Sequence, residues 1–195
     1  QKCSACSILY LPEEYLETFT GILKNSIYSF MSKSENYGLI NRKSFKRVTR
    51  NIEEFKSESM DILLDSHYTD QGSYKVSPFV VSHRDHNHRI FNEEFFGPIL
   101  AIYPYNTSEK YNTLELCSES NNYALTGAIF SKSDKFIMEA HELLSEKTGN
   151  FYVNCRSTGS VVGNQPFGGS GKSGTNDKAG DINLLYRLFN QRNVK

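Results

Sequence analysis

The sequence predicts an α/β fold, a mainly parallel sheet flanked by helices. Three observations carry this. Short apolar runs of strand character alternate with longer segments whose apolar residues recur at helical spacing. The chain has 195 residues, 38% apolar and 23% charged, enough to bury a core. No repeat, linker or low-complexity tract interrupts the alternation. Strands that alternate with helices imply parallel pairing with both sheet faces covered, and the length suggests one domain over residues 1–195.

Taken in order, residues 7–11 (S-I-L-Y-L) predict a strand. Pro12 then opens a helix with Glu13 and Glu14 in its first turn, where carboxylates suit the helix dipole. Leu16, Phe19, Ile22, Leu23, Ile27 and Phe30 carry that helix to about residue 32. Phe45, Val48, Ile52 and Phe55 mark one face of a second helix over residues 44–57. Residues 60–64 and 77–81 predict strands joined around the turn signal Asp70-Gln71-Gly72. Residues 99–105 predict a strand, 111–118 a helix, 123–131 a strand, 135–144 a helix and 150–154 a strand. Residues 155–180 form a Gly-rich loop before a short helix at residues 184–189.

Composition excludes several classes. Lys and Arg total 22, as do Asp and Glu, so the net charge is zero. A nucleic-acid-coating or membrane-surface protein would carry a basic excess. No apolar run reaches the roughly 18 residues of a membrane span. Cys3, Cys6, Cys117 and Cys155 are too scattered for a disulfide framework, so a reducing compartment is expected. The chain opens on Gln1-Lys2-Cys3 with neither an initiator Met nor a signal-peptide pattern, and reads as an excised domain or processed fragment.

Several motifs have plain readings. Cys3-x-x-Cys6 lacks the second Cys/His pair of a zinc site and precedes a strand, unlike a thioredoxin motif. His83, Asp85, His86 and His88 lie in a uniformly polar run, which reads as a solvated loop; no metal site is expected. Gly171-Lys172-Ser173 has Pro166 where a phosphate-binding loop needs its first Gly. The stretch from Asn150 to Asp177 carries more weight. It is rich in Gly, Ser and Asn, and such loops carry function when a scaffold holds them. Gly159-Ser160 can present consecutive N–H groups to a carboxylate, and Phe167-Gly168-Gly169 offers an aromatic wall with close backbone approach.

Together these segments resemble the aldehyde dehydrogenase superfamily. Gln1-Lys2-Cys3 matches the end of its nucleophile motif G-Q-x-C. Glu94-Phe95-Phe96-Gly97-Pro98 matches E-x-F-G-P. Pro166-Phe167-Gly168-Gly169 with Ser173-Gly174 matches P-F-G-G-x-x-x-S-G, and residues 123–130 (Y-A-L-T-G-A-I-F) resemble the strand between them. Three motifs in order, over nearly the whole chain, are specific. Residues 1–7, 149–154, 157–163 (S-T-G-S-V-V-G) and 173–178 further resemble the branch that oxidises L-glutamate γ-semialdehyde, in the second step of proline catabolism. Cys155-Arg156 departs from the Asp-Lys pair expected before the S-T-G-S loop.

The resemblance implies a catalytic domain of aldehyde dehydrogenase type, with Cys3 as nucleophile and Cys6 a bystander. It implies Glu94 and Phe96 at the nicotinamide riboside of NAD. It assigns Ser4, Gly159, Ser160 and Phe167 to the substrate, the Gly-Ser pair holding its α-carboxylate and Phe167 packing its aliphatic part. Most NAD contacts, the general-base Glu and an oxyanion-hole Asn are expected in a cofactor domain upstream of Cys3. Alone, the fragment is expected to fold, to self-associate and to lack NAD-dependent activity. The resemblance also implies a homo-oligomer with no nucleic-acid or membrane partner, in the mitochondrial matrix of a eukaryote or the cytoplasm otherwise. Another aldehyde substrate, or a non-catalytic binding or assembly role on the same scaffold, are the alternatives.

Overall fold

A computed structural model describes residues 1–33, 38–161 and 164–194. The chain divides into two compact units, Gln1–Ser120 and Asn121–Lys195.

The first unit is built on a four-stranded sheet. Its elements are β1 (Ile8–Pro12), α1 (Leu16–Lys33), α2 (Arg42–Ser57), β2 (Asp61–Leu64), β3 (Tyr68–Thr69), β4 (Lys75–Val76), β5 (Phe79–Ser82), α3 (Arg89–Asn92), β6 (Ile99–Tyr105) and α4 (Lys110–Glu119). The strand order is β1-β6-β5-β2. β6 pairs in parallel with β1 and β5, while β2 runs antiparallel to β5, so the sheet is mixed with a parallel centre. The turn at Asp70-Gln71-Gly72 closes the β3–β4 hairpin instead of linking the two longer strands. Gly72 supplies the positive φ of 75° there.

α2 explains the core. The Asn41 side chain caps it by accepting from the Ser44 N–H at 2.9 Å. Phe45, Val48, Ile52 and Phe55 then face the sheet and pack with Phe79, Val81, Phe91 and Ala101. Val80 and Ile102, on the opposite sheet face by the period-two alternation, are also buried. α1 differs. Leu16, Phe19, Leu23 and Ile27 are only half-buried, and Ile22 and Phe30 are exposed.

The histidine run departs from the solvated loop that its polarity suggests. His83, His86 and His88 are all half-buried. The His86 ring stacks on Phe91 and its Nε2 lies 2.9 Å from the Tyr10 hydroxyl. His88 caps α3 by accepting from the Ile90 N–H at 3.1 Å, and its Nε2 lies 2.8 Å from Glu58. These imidazoles join α3 to the sheet. Apolar neighbours from distant strands, invisible in the local sequence, draw them inward. Among the described residues no group of three or more His, Cys, Asp or Glu is placed to hold a metal ion. Nor, among those residues, is any helix long and apolar enough to cross a membrane.

The second unit contains β7 (Tyr123–Ala124), β8 (Thr126–Ile129), α5 (Asp134–Leu144), β9 (Asn150–Val153), β10 (Ser170–Gly171) and α6 (Ile182–Tyr186). β8 and β9 pair in parallel, and β7 pairs antiparallel with β10. The Ser133 hydroxyl caps α5 by accepting from the Phe136 N–H. Ile129, Ala140, Leu144 and Tyr152 are its buried apolar residues.

Candidate active site

In the first unit the segment before β1 is a tight turn, closed by the Ala5 N–H donating to the Lys2 carbonyl at 3.0 Å. The turn separates its side chains. Cys3 is exposed, whereas Ser4 is only 3% exposed. Ser4 therefore lies on the inner side of the turn, next to the exposed Cys3. Cys6 directs its thiol to the Ile8 carbonyl at 3.3 Å.

The Glu94–Pro98 loop is fixed from beneath by α2. The Arg47 guanidinium donates to two successive carbonyls, those of Phe95 and, at 3.2 Å, Phe96. Phe95 is buried edge-on against Phe55, with ring centroids 5.1 Å apart, and the Arg89 guanidinium sits 4.5 Å over the Phe55 ring. A side chain at Gly97 would place its Cβ 2.6 Å from a Val48 methyl, so only glycine lets the loop rest on α2. Phe96 turns outward with φ 47°, a left-handed conformation rare for an aromatic residue, and is 40% exposed. Glu94 is exposed beside it.

Gln1 joins the two segments. Its side-chain amide donates to the Phe96 carbonyl at 3.1 Å and accepts from the Ile40 N–H at 2.9 Å. The Cys3 turn and the Glu94–Phe96 loop are thus brought together. The supporting roles of Gln1, Arg47 and Arg89 were not read from the sequence. The available signal was the position of Arg47 between Phe45 and Val48, at the border of the buried stripe.

Surroundings also separate the thiols. Burial, with the nearby Cys6 as a smaller contribution, pushes Cys117 up to about 11. At pH 8 about one part in a thousand of such a thiol is thiolate, the reactive form. Iodoacetamide should therefore label exposed Cys3 ahead of Cys117. A peptide-mapped time course checks this, and equal or earlier labelling of Cys117 would contradict it.

In the second unit the S-T-G-S loop, expected to anchor the substrate carboxylate, and the P-F-G-G loop both attach to β9. The Tyr152 hydroxyl donates to the Gly159 carbonyl at 2.6 Å, and Gly159 has φ 97°. The Asn150 side chain donates to the Pro166 carbonyl at 3.1 Å and accepts from the Gly168 N–H at 3.3 Å. Phe167 exchanges backbone hydrogen bonds with Ala179 at 3.0 and 2.9 Å. Lys178 donates to the carbonyls of Gly149 and, at 2.8 Å, Gly168, and burial pushes its ammonium below the usual lysine range. A Cβ at Gly149 would lie 2.0 Å from the Gly168 carbonyl oxygen, so these two backbones touch. Ser160 and Phe167 are half-buried at the loop surfaces, while Val162 and Gly163 of the same motif lie outside the described residues.

Nicotinamide riboside presents hydroxyls and a flat ring. An exposed carboxylate beside an exposed, backbone-fixed aromatic suits both, so Glu94 and Phe96 fit that part of NAD.

Comparison with known proteins agrees with these motifs. Residues 1–194 match the profile of the aldehyde dehydrogenase family. The mitochondrial Δ1-pyrroline-5-carboxylate dehydrogenase of Bos taurus is 40% identical over 203 residues, covering all of this chain and 36% of the bovine protein. The Dictyostelium discoideum protein of the same name is 39% identical over 202 residues. A crystal structure of the Mycobacterium tuberculosis Δ-pyrroline-5-carboxylate dehydrogenase bound with NAD superposes with a TM-score of 0.82 at 32% identity, over 96% of this chain and 35% of that one. The chain spans about a third of the length of these relatives.

Proposed function

We propose, from the premise that this chain belongs to the aldehyde dehydrogenase family, that it is the catalytic part of an NAD-dependent enzyme oxidising L-glutamate γ-semialdehyde to L-glutamate. This is the second step of proline catabolism. The observation that carries the reading is the Gln1 amide, which bonds the Cys3 segment to the carbonyl of Phe96. One hydrogen bond thus couples the group that attacks the aldehyde to the loop that suits the cofactor.

Cys3 is the nucleophile. Its thiolate adds to the aldehyde carbon to give a thiohemiacetal, whose oxyanion the Cys3 backbone N–H stabilises. NAD, when bound, supplies the hydride acceptor. Glu94 accepts hydrogen bonds from the ribose, and Phe96 packs beside the nicotinamide ring and orients it. Cys3 then holds a thioester, which water cleaves to release glutamate. Gly159 and Ser160 offer N–H groups to the substrate α-carboxylate, and Phe167 packs its short aliphatic chain. Ser4 supports the turn from below and reaches substrate only if the turn reopens. In a eukaryote, the mitochondrial relatives support a place in the mitochondrial matrix; in other cells the protein is cytoplasmic, and the complete gene product is a homo-oligomer.

Ser160→Ala keeps the backbone N–H but removes the hydroxyl beside it, a further donor to the carboxylate; in the complete gene product it should raise KM for the semialdehyde roughly five- to thirtyfold, about 1–2 kcal/mol, with kcat little changed. Steady-state kinetics against hexanal test the assignment. A parent enzyme with higher kcat/KM for hexanal than for the semialdehyde would refute the substrate.

A further inference from the structure

The second unit has a polar face on β9 that the reaction does not consume. Asn150 and Tyr152, two residues apart, are both buried, at 9% and 7% exposure, and so share one face of the strand. Buried polar groups normally find partners, but these two do not serve the strand ladder. Each reaches into a different loop: Asn150 to the carbonyl and N–H either side of Phe167, Tyr152 to the carbonyl of Gly159.

We propose that Tyr152 is a specificity-determining positioning residue, which fixes the anchor loop so that it selects aldehydes carrying an α-carboxylate. The proposal rests on the reading of the anchor loop given above. The argument is one of peptide geometry. The Gly159 carbonyl and the Ser160 N–H belong to the same planar unit and, in the trans form, point in opposite directions. A hydroxyl that pins the carbonyl at 2.6 Å therefore sets the N–H on the far edge of that plane, pointing away from Tyr152. The φ of 97° at Gly159 turns the chain in a way that L side chains resist, so the plane has a defined but otherwise weakly held orientation. Asn150, one pleat away, holds the Phe167 segment by the same logic. The strand thereby spaces an anion-binding amide from an apolar wall. A short aliphatic aldehyde with a carboxylate at its other end can use both, and a plain alkyl aldehyde uses only the wall.

Tyr152→Phe in the complete gene product removes the hydroxyl and keeps the buried ring. KM for L-glutamate γ-semialdehyde should rise about tenfold with kcat nearly constant, since the lost hydrogen bond orients a ground-state contact. The kcat/KM for hexanal should move by less than about twofold, and its turnover doubles as the folding control. L-glutamate should inhibit hexanal oxidation about tenfold more weakly. Equal losses for both aldehydes, or no change for either, would overturn the assignment. A parent enzyme that prefers hexanal would sink the functional reading instead. Tyr152 is then decided separately: unaltered inhibition by L-glutamate in Y152F rules it out, and weakened inhibition supports it.

Discussion

Cys3→Ala in the complete gene product should lower kcat for aldehyde oxidation by about a thousandfold or more, while calorimetry still registers NAD binding. No other side chain in the turn can replace the thiol. Ser4 is buried, and the Cys6 thiol is engaged with the Ile8 carbonyl. Cys6→Ala should accordingly keep most activity. The contrast between the two variants is the measurement, and similar losses from both would remove Cys3 from its assigned role. NAD binding should persist because Glu94 and Phe96 are held by Arg47, Gln1 and Phe55, none of which the substitution alters.

Phe55→Ala should have the largest effect on stability. The ring is fully buried at the centre of the first unit's core, against Phe95 and beneath the Arg89 guanidinium. Truncation leaves a cavity and should cost about 3–5 kcal/mol. For a chain of this size that lowers Tm by roughly 10 °C or more. Phe55→Leu, which fills part of the space, should cost less than half as much. Because Phe95 loses its edge-on partner, the Glu94–Phe96 loop should loosen too. NAD affinity measured below the lowered Tm should fall in F55A. Unchanged affinity there would mean that Arg47 and Gln1 alone hold the loop.

The fold was legible wherever a local pattern decided the outcome. The stripe Phe45, Val48, Ile52 and Phe55 specified α2 because its spacing and its burial coincide. β6, predicted over residues 99–105, spans Ile99–Tyr105. Other outcomes depended on contacts far apart in sequence. Residues 60–64 and 77–81 read as strands, but nothing local says that a separate β3–β4 hairpin intervenes. The predicted strand over residues 123–131 divides at Leu125 because β7 pairs with β10 while β8 pairs with β9. The histidine run looked solvated because the residues within it are polar, and its distant aromatic partners Tyr10 and Tyr103 come from other strands.

The candidate site followed a similar division. Cys3, Glu94, Phe96, Gly159, Ser160 and Phe167 were legible through motifs that resemble a known family. Of the residues that brace them, Arg47 and Arg89 lie outside those motifs, while Tyr152 and Lys178 lie inside matched segments that assign them no role. Arg47 falls within the second predicted helix and Arg89 at the end of the polar run read as a solvated loop, and no local pattern gives any of the four a bracing role. The roles of Arg47, Tyr152 and Lys178 rest on which carbonyl each side chain meets, and that of Arg89 on the Phe55 ring beneath it, all fixed only once the chain is folded.

The bracing by α2 also limits how the gene can change length. Arg47 and Val48 meet the Glu94–Pro98 loop from adjacent positions on one helix. One codon gained or lost between Asn41 and Arg47 would rotate everything after it by about 100° about the helix axis. The guanidinium would swing off both carbonyls, and the methyl that abuts Gly97 would leave with it. Insertions and deletions should therefore be purged from the start of α2, except near whole turns of three or four residues. The β3–β4 turn at Asp70-Gln71-Gly72 carries no such register and should accept length changes freely.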